Sequence, residues 1–224
     1  MTLKKRLQED LNKLRAMERK DQLVFIWDYY KIPIVSVVVA LVLLVMVLTS
    51  WAGKKDIAMY AVFVNTDVSV VEPQAQMLDD LLAAAGVDMD GKTIDITADL
   101  TLGKDYSEIT DGQTLQVLAA MFGISGLDVF AADQASFDRY AVQDAFVDLS
   151  LFLERELYEQ EGCEPYWYTN GAAQEILGGL ILKPGSALHE AGYYHTDVIL
   201  GVAANAQNLE EAVAFVTQLL AELG

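Results

Sequence analysis

The chain has 224 residues, 53% of them hydrophobic, yet it carries a formal net charge of −18 from 15 basic and 33 acidic residues. Such acidity argues against nucleic acid as a partner, since phosphates would be repelled, and against close contact with anionic lipid; its simplest consequence is solubility. Cys163 is the only cysteine, so an exported domain would have to be held by its core without an intramolecular disulfide.

Residues 1–31 form a basic stretch in which Leu3, Leu7, Leu11, Leu14 and Met17 recur at helical spacing. This amphipathic segment either lies on an inner leaflet, pairs with a partner helix, or serves as a basic topogenic leader. Residues 32–53, "IPIVSVVVALVLLVMVLTSWAG", contain no charge. As a helix they would reach about 33 Å, enough for a hydrocarbon core about 30 Å thick, so they are expected to span a membrane. Trp27, Tyr29 and Tyr30 on one side and Trp51 on the other mark its interfaces. Before Ile32 stand eight basic and five acidic residues, net +3; after it stand seven basic and 28 acidic, net −21. Basic flanks stay inside, which places the N-terminus in the cytoplasm and residues 54–224 outside. Cleavage after Ala52 fits the small residues there, but the leader and the apolar run are long for a cleaved signal, and an uncleaved signal anchor is expected.

The outer segment alternates strand and helix. "DIAMYAVFVN" (Asp56 to Asn65) reads as a buried strand, Pro73 opens a helix that Gly86 stops, and "KTIDITADL" (Lys92 to Leu100) is a second strand. "GQTLQVLAAMFG" (Gly112 to Gly123) is a helix and "LDVFAA" (Leu127 to Ala132) a third strand. This order predicts an α/β domain with a mainly parallel sheet covered by helices on both faces. Asp133 is placed to cap the helix carrying Phe137 and Tyr140, and Asp148 or Ser150 the next one. Residues 154–170 read as a helix end plus loop. Glu175 to Leu182 and Thr196 to Ala204 are strand-like. Asn208, with Glu211 three residues on, predicts a capping box for a last helix with a stripe from Leu209 to Leu223.

Three stretches carry a resemblance: "DVFAAD" (Asp128 to Asp133) followed by "SFDRYA", "VDLSLFL" (Val147 to Leu153), and the closing "VILGVAANAQNLEEAVAFVTQLL". With "YAVFVN" as a first strand, the chain resembles the extracellular solute-binding proteins of the type II periplasmic-binding fold. Members have two lobes around a ligand cleft, but here too little sequence lies between Leu153 and the closing strands for a second lobe. The resemblance therefore implies a roughly single-lobe, membrane-anchored version. It implies a non-enzymatic binding or docking module within a membrane complex or, as the alternative, a solute receptor feeding a transporter.

For chemistry the sequence offers little. His189 and His195 in "HEAGYYH" are six apart rather than the four that zinc-protease helices need, and Glu190 and Asp197 are the nearest further ligands. Cys163 sits among Glu159, Glu161 and Glu164, which oppose thiolate formation, and no Gly-x-Ser-x-Gly elbow occurs. A hydrolase using the histidines or a metal is the remaining alternative; no cofactor or metal is expected. Trp167 and Tyr168 in "PYWYTNG" either stack on a ligand or plug the core beneath a loop. Parallel-sheet logic puts a cleft beyond the carboxyl ends of the strands, near Asn65, Asp133 and Gln134. The expected partners are the bilayer through residues 32–53, a membrane-complex or transporter protein, and a small solute.

Overall fold

The computed structural model of the protein describes residues 32, 35–36, 38–46, 55–67, 72–103, 109–124 and 126–223. Residues 1–54 and 55–224 are separate compact units. In the first, residues 38–46 are helical with every described side chain exposed, and Ser36 Oγ donates to the Ile32 carbonyl one turn back at 2.9 Å. Among the described residues no helix is long and apolar enough to cross a membrane. The amphipathic segment 1–31 and much of the expected span 32–53 lie outside the described residues.

The second unit is an α/β domain. Its elements in chain order are β1 (Asp56–Val64), α1 (Glu72–Ala84), β2 (Lys92–Leu100), α2 (Ile109–Ile124), β3 (Val129–Ala132) and α3 (Gln134–Ala141). After a 3-10 turn at Leu149–Leu151 come α4 (Arg155–Tyr158), β4 (Cys163–Thr169), β5 (Glu175–Leu182), α5 (Ala187–Glu190), β6 (Val198–Val202) and α6 (Leu209–Ala221). The six strands form one sheet in the order β2-β1-β3-β6-β5-β4.

Only half of that sheet is parallel. β1 runs parallel to β2 and β3, whereas β6, β5 and β4 are joined by antiparallel pairing. The expectation of a mainly parallel sheet is corrected accordingly: the sheet is mixed. Direction is invisible in composition, because a strand buried on both faces reads as an apolar run in either sense. β4 was also read as loop. It is an edge strand interrupted by Pro165 and a bulge between Tyr166 and Trp167, so it lacks the regular alternation that marks a strand.

Both faces are covered, as the period of two along each strand requires. Met59, Ala61 and Phe63 of β1, with Val129, Leu200 and Leu180, pack on one side against Leu78 and Leu82 of α1 and Phe215, Val216, Leu219 and Leu220 of α6. Val62, Val64, Phe130 and Ile199 pack on the other side against Leu118 of α2 and Phe137, Tyr140 and Ala141 of α3. On that side the Phe137 ring lies over glycines of two strands. A Cβ at Gly179 or Gly201 would come within 2.7 or 2.8 Å of Phe137 Cζ. Phe137 stacks on Phe146 at 4.2 Å with 6° between planes.

One buried carboxylate binds three elements together. Asp128, just before β3 and 1% exposed, accepts from the Tyr60 amide, the Asn208 amide and Asn208 Nδ2, each at 2.9 Å. The predicted capping box on α6 is therefore not formed. Asn208 makes no side-chain cap bond, and its backbone N–H, which Glu211 would accept in the box, donates to Asp128 instead, with Nδ2 also turned toward Asp128. Asp133 and Asp148 do cap as expected, accepting from the backbone amides of Ser136 and Ser150.

Candidate functional site

The winding of the sheet reverses between β1 and β3: β2 lies on one side of β1, and the chain returns through α2 to place β3 on the other. In open α/β sheets a crevice opens beyond the carboxyl ends of the strands at such a point. Asn65 ends β1 with φ of 58°, and Asp133 follows β3. The structure brings them together and spends both. Asn65 Nδ2 donates to Asp133 Oδ2 at 2.6 Å and to the Leu102 carbonyl at 3.0 Å, while its Oδ1 accepts from the Leu102 amide at 2.7 Å. Asp133 also accepts from the Ser136 amide and hydroxyl. Below them the buried Tyr194 hydroxyl lies 3.0 Å from the carbonyls of both Val64 and Ala131. Desolvation, with Asp133 and Asp67 nearby, holds that phenol well above its ordinary pKa, so it stays a donor. Among the described residues, the polar groups at this point are thus paired with one another.

The other residues singled out in the sequence lie elsewhere. Gln134 is exposed on the first turn of α3. Trp167 and Tyr168 pair with Leu177 and Ile176 of β5, level with the start of β3 and toward the opposite end of the sheet from Asn65 and Asp133. Trp167 is 41% exposed and meets Tyr158 edge-on at 6.4 Å. Tyr168 turns to the other face, where its ring fills the space that a side chain at Gly178 would need. Its hydroxyl is buried beside the Phe146 backbone.

Ser186, His189 and Cys163 are tied into the framework or buried in it. His189 Nε2 lies 2.8 Å from the Thr196 carbonyl, so it must donate there, and Nδ1 accepts from Ser186 Oγ at 2.8 Å. This serine–histidine pair resembles a nucleophile and its base, but Ser186 is fully buried, and the pair instead braces α5. The His195 backbone amide donates to Asp67 while the residue itself is exposed, and among the described residues no group of three or more His, Cys, Asp or Glu could hold a metal. Burial, and to a lesser extent Glu164, push the Cys163 thiol up to about 12. Tyr166 is also raised, by burial first and by its 2.5 Å bond to Asp138 second.

Among the described residues, an open cavity lies toward the other end of the sheet. A cavity of about 490 Å³ sits between the C-terminal halves of α2 and α3 and the loop after β6. Leu115, Ala119, Phe122 and Tyr140 give it apolar walls. Phe122 and Tyr140 stack at 4.6 Å, and Asn205 Nδ2 pins the Phe122 carbonyl. Arg139, Gln143 and Asp144 supply its charged and polar edge. Asp144, in the left-handed region with φ of 56°, holds the Gly171 amide with both carboxylate oxygens at 3.0 Å, which ties the β4–β5 hairpin to this edge. A smaller cavity of about 340 Å³ lies beside it in the fold, lined by Ile57, Tyr60, Asp95 and Asn208. These lining residues come from several separate segments, so no single motif announced them. The one available signal was Arg139, the only base in the sequence between Lys104 and Arg155.

No family model matches the chain, and neither a curated protein nor a solved structure matches it.

Proposed function

We propose that the protein is a non-enzymatic binding or docking module, held outside the cell membrane by a single N-terminal span and related to one lobe of a solute-binding protein. One observation carries the reading. Ser186 and His189 are engaged in internal bonds and Cys163 is buried, while an open, mixed-polarity cavity remains. The charge-free run 32–53, with most bases before it and most acids after it, supports the tether and its orientation. The cavity also favours a second reading, a solute receptor that feeds a membrane transporter.

Topology is tested by substituted-cysteine labelling, for which the buried, fully protonated Cys163 gives a silent background. With a membrane-impermeant maleimide on intact cells, Glu175→Cys on the β4–β5 hairpin should label and Arg6→Cys should not. The reverse pattern would overturn the orientation. Binding is tested by thermal unfolding of the full chain in nanodiscs with pools of amino acids, oligopeptides and sugars. A ligand at about 100 times its Kd adds about 2.7 kcal/mol. A shift with one pool favours the receptor, and none leaves protein docking.

A further inference from the structure

We propose that Asn170–Gly171, at the tip of the β4–β5 hairpin, is a site of spontaneous deamidation that Asp144 holds shut. The chemistry is intramolecular and needs only water as co-reactant. The Gly171 amide nitrogen loses its proton and attacks the side-chain carbonyl carbon of Asn170, forming a new C–N bond. The Asn170 side-chain nitrogen leaves with that proton as ammonia, and a succinimide remains. Water then opens the ring at either carbonyl, which leaves aspartate or isoaspartate at position 170.

The sequence supplies the reactive pair and the turn presents it. Among the asparagines of the chain, Asn170 is the one followed by glycine, which has no Cβ to shield its nitrogen. Residues 171–175 are all exposed, so water and ammonia pass freely.

The fold opposes the reaction at both of its atoms. Asn170 Oδ1 accepts from the amides of Ala172 and Gln174 at 3.0 and 2.9 Å, which fixes the side chain within the turn. The Gly171 amide donates to both oxygens of Asp144 at 3.0 Å. Deprotonating that nitrogen would forfeit a charge-assisted hydrogen bond and set a negative nitrogen against a carboxylate.

The contact is built from two unusual residues. Asp144 adopts a φ of 56°, a region that few residues besides glycine, asparagine and aspartate enter readily. Gly171 has no positive φ to require glycine; what excludes a side chain there is Asp144 itself, whose Oδ2 would lie 2.7 Å from a Cβ. The missing side chain that bares the Gly171 nitrogen also admits the carboxylate that guards it. Isoaspartate at position 170 would insert a methylene into the backbone of the turn. It would thereby break the bond from Gly171 to Asp144 and release the hairpin tip from the cavity edge.

Peptide mapping by mass spectrometry tests this on the full chain in nanodiscs, sampled over days in mildly alkaline buffer, with the urea-unfolded chain as reference. Asn170 should convert at least about tenfold more slowly in the folded chain than in urea, the factor expected for losing one hydrogen bond to a charged group. Asp144→Ala should speed the reaction about tenfold under conditions where its unfolding curve shows it folded. Asp144→Asn, which keeps an acceptor and tolerates the backbone angle, should speed it less. Hydrogen exchange at the Gly171 amide should quicken in both variants. Asn65 and Asn208 in the same digest report general loosening, and their rates should not change. Equal conversion of Asn170 in the folded and unfolded chains overturns the proposal, as does no conversion in urea. So do unchanged rates in both Asp144 variants, or a rise at Asn65 and Asn208 that matches the rise at Asn170.

Discussion

The two ends of the sheet meet opposite fates. At the carboxyl end of β1 and β3, where the winding reverses and α/β proteins commonly hold ligands, Asn65, Asp133 and Ser136 satisfy one another and Tyr194 is held by the Val64 and Ala131 carbonyls. At the other end Asp128 binds β1, β3 and α6 together, yet the neighbouring junction of α2 and α3 stays open. The lesson is that a fold supplies places for a site, whereas side chains decide which place stays vacant. A crevice whose polar groups are already paired has little left to offer a ligand.

The comparison can be broken at its strongest point first. Asp128→Ala leaves three N–H donors without their acceptor, two of them backbone amides at the junction of β1, β3 and α6. With about 1–3 kcal/mol for each buried donor left unpaired, we expect a loss of about 3–5 kcal/mol in urea unfolding. A loss below about 1 kcal/mol would show that this end is not held as described.

Gly201→Ala places a Cβ within 2.8 Å of both Phe137 Cζ and the Gly178 carbonyl. It should cost about 1–3 kcal/mol, with near-ultraviolet circular dichroism reporting the disturbed Phe137–Phe146 stack. A neutral effect would mean that Phe137 can move away freely.

Asp133→Ala sharpens the contrast between the ends. It removes the α3 cap and the bond from Asn65, at about 1 kcal/mol each, so the expected loss is about 2 kcal/mol. If the variant is instead more stable than the parent, the crevice is a strained site kept for a ligand, and the two ends exchange roles.

The smallest effect concerns pH. Cys163 has its pKa raised from 9.0 in the exposed thiol to about 12 in the fold, chiefly by burial. A group whose folded pKa is raised contributes stability that is complete below pH 9 and lost as pH climbs toward 12. Cys163→Ala should therefore show a shallower decline of the unfolding midpoint over that window. Equal slopes would mean that the thiol does not titrate with folding. Tyr193, raised by burial to about 12, adds to the decline in both proteins.

Much of the framework was legible in the residues. β5 matched its predicted bounds, Asp133 and Asp148 cap where their spacing suggested, and Leu78, Leu81 and Leu82 of α1 are buried as their period requires. On α6 Val216, Leu219 and Leu220 are buried and Leu209 and Leu223 pack on the core as their period requires, while Ala212 and Phe215 take the core place expected of Val213. β4 was lost because an edge strand with a proline and a bulge has no clean period. Of the expected site, Asn65 and Asp133 do meet, whereas Trp167 and Tyr168 lie toward the other end of the sheet, because adjacency across β5 and β6 depends on strand order.

The sequence by itself determined most of the local elements apart from β4, the burial of their apolar faces, the charge asymmetry about residues 32–53 and the scarcity of histidine and cysteine. These follow from nearest-neighbour spacing and composition, which a linear chain carries openly. Only the tertiary structure decided that the sheet is half antiparallel, that Asp128 claims Asn208, that Asn65 and Asp133 pair at the switch point, and that Arg139 and Asp144 edge one cavity. Each of those depends on contacts between segments far apart in the chain, where many pairings are compatible with the same local pattern and packing selects one.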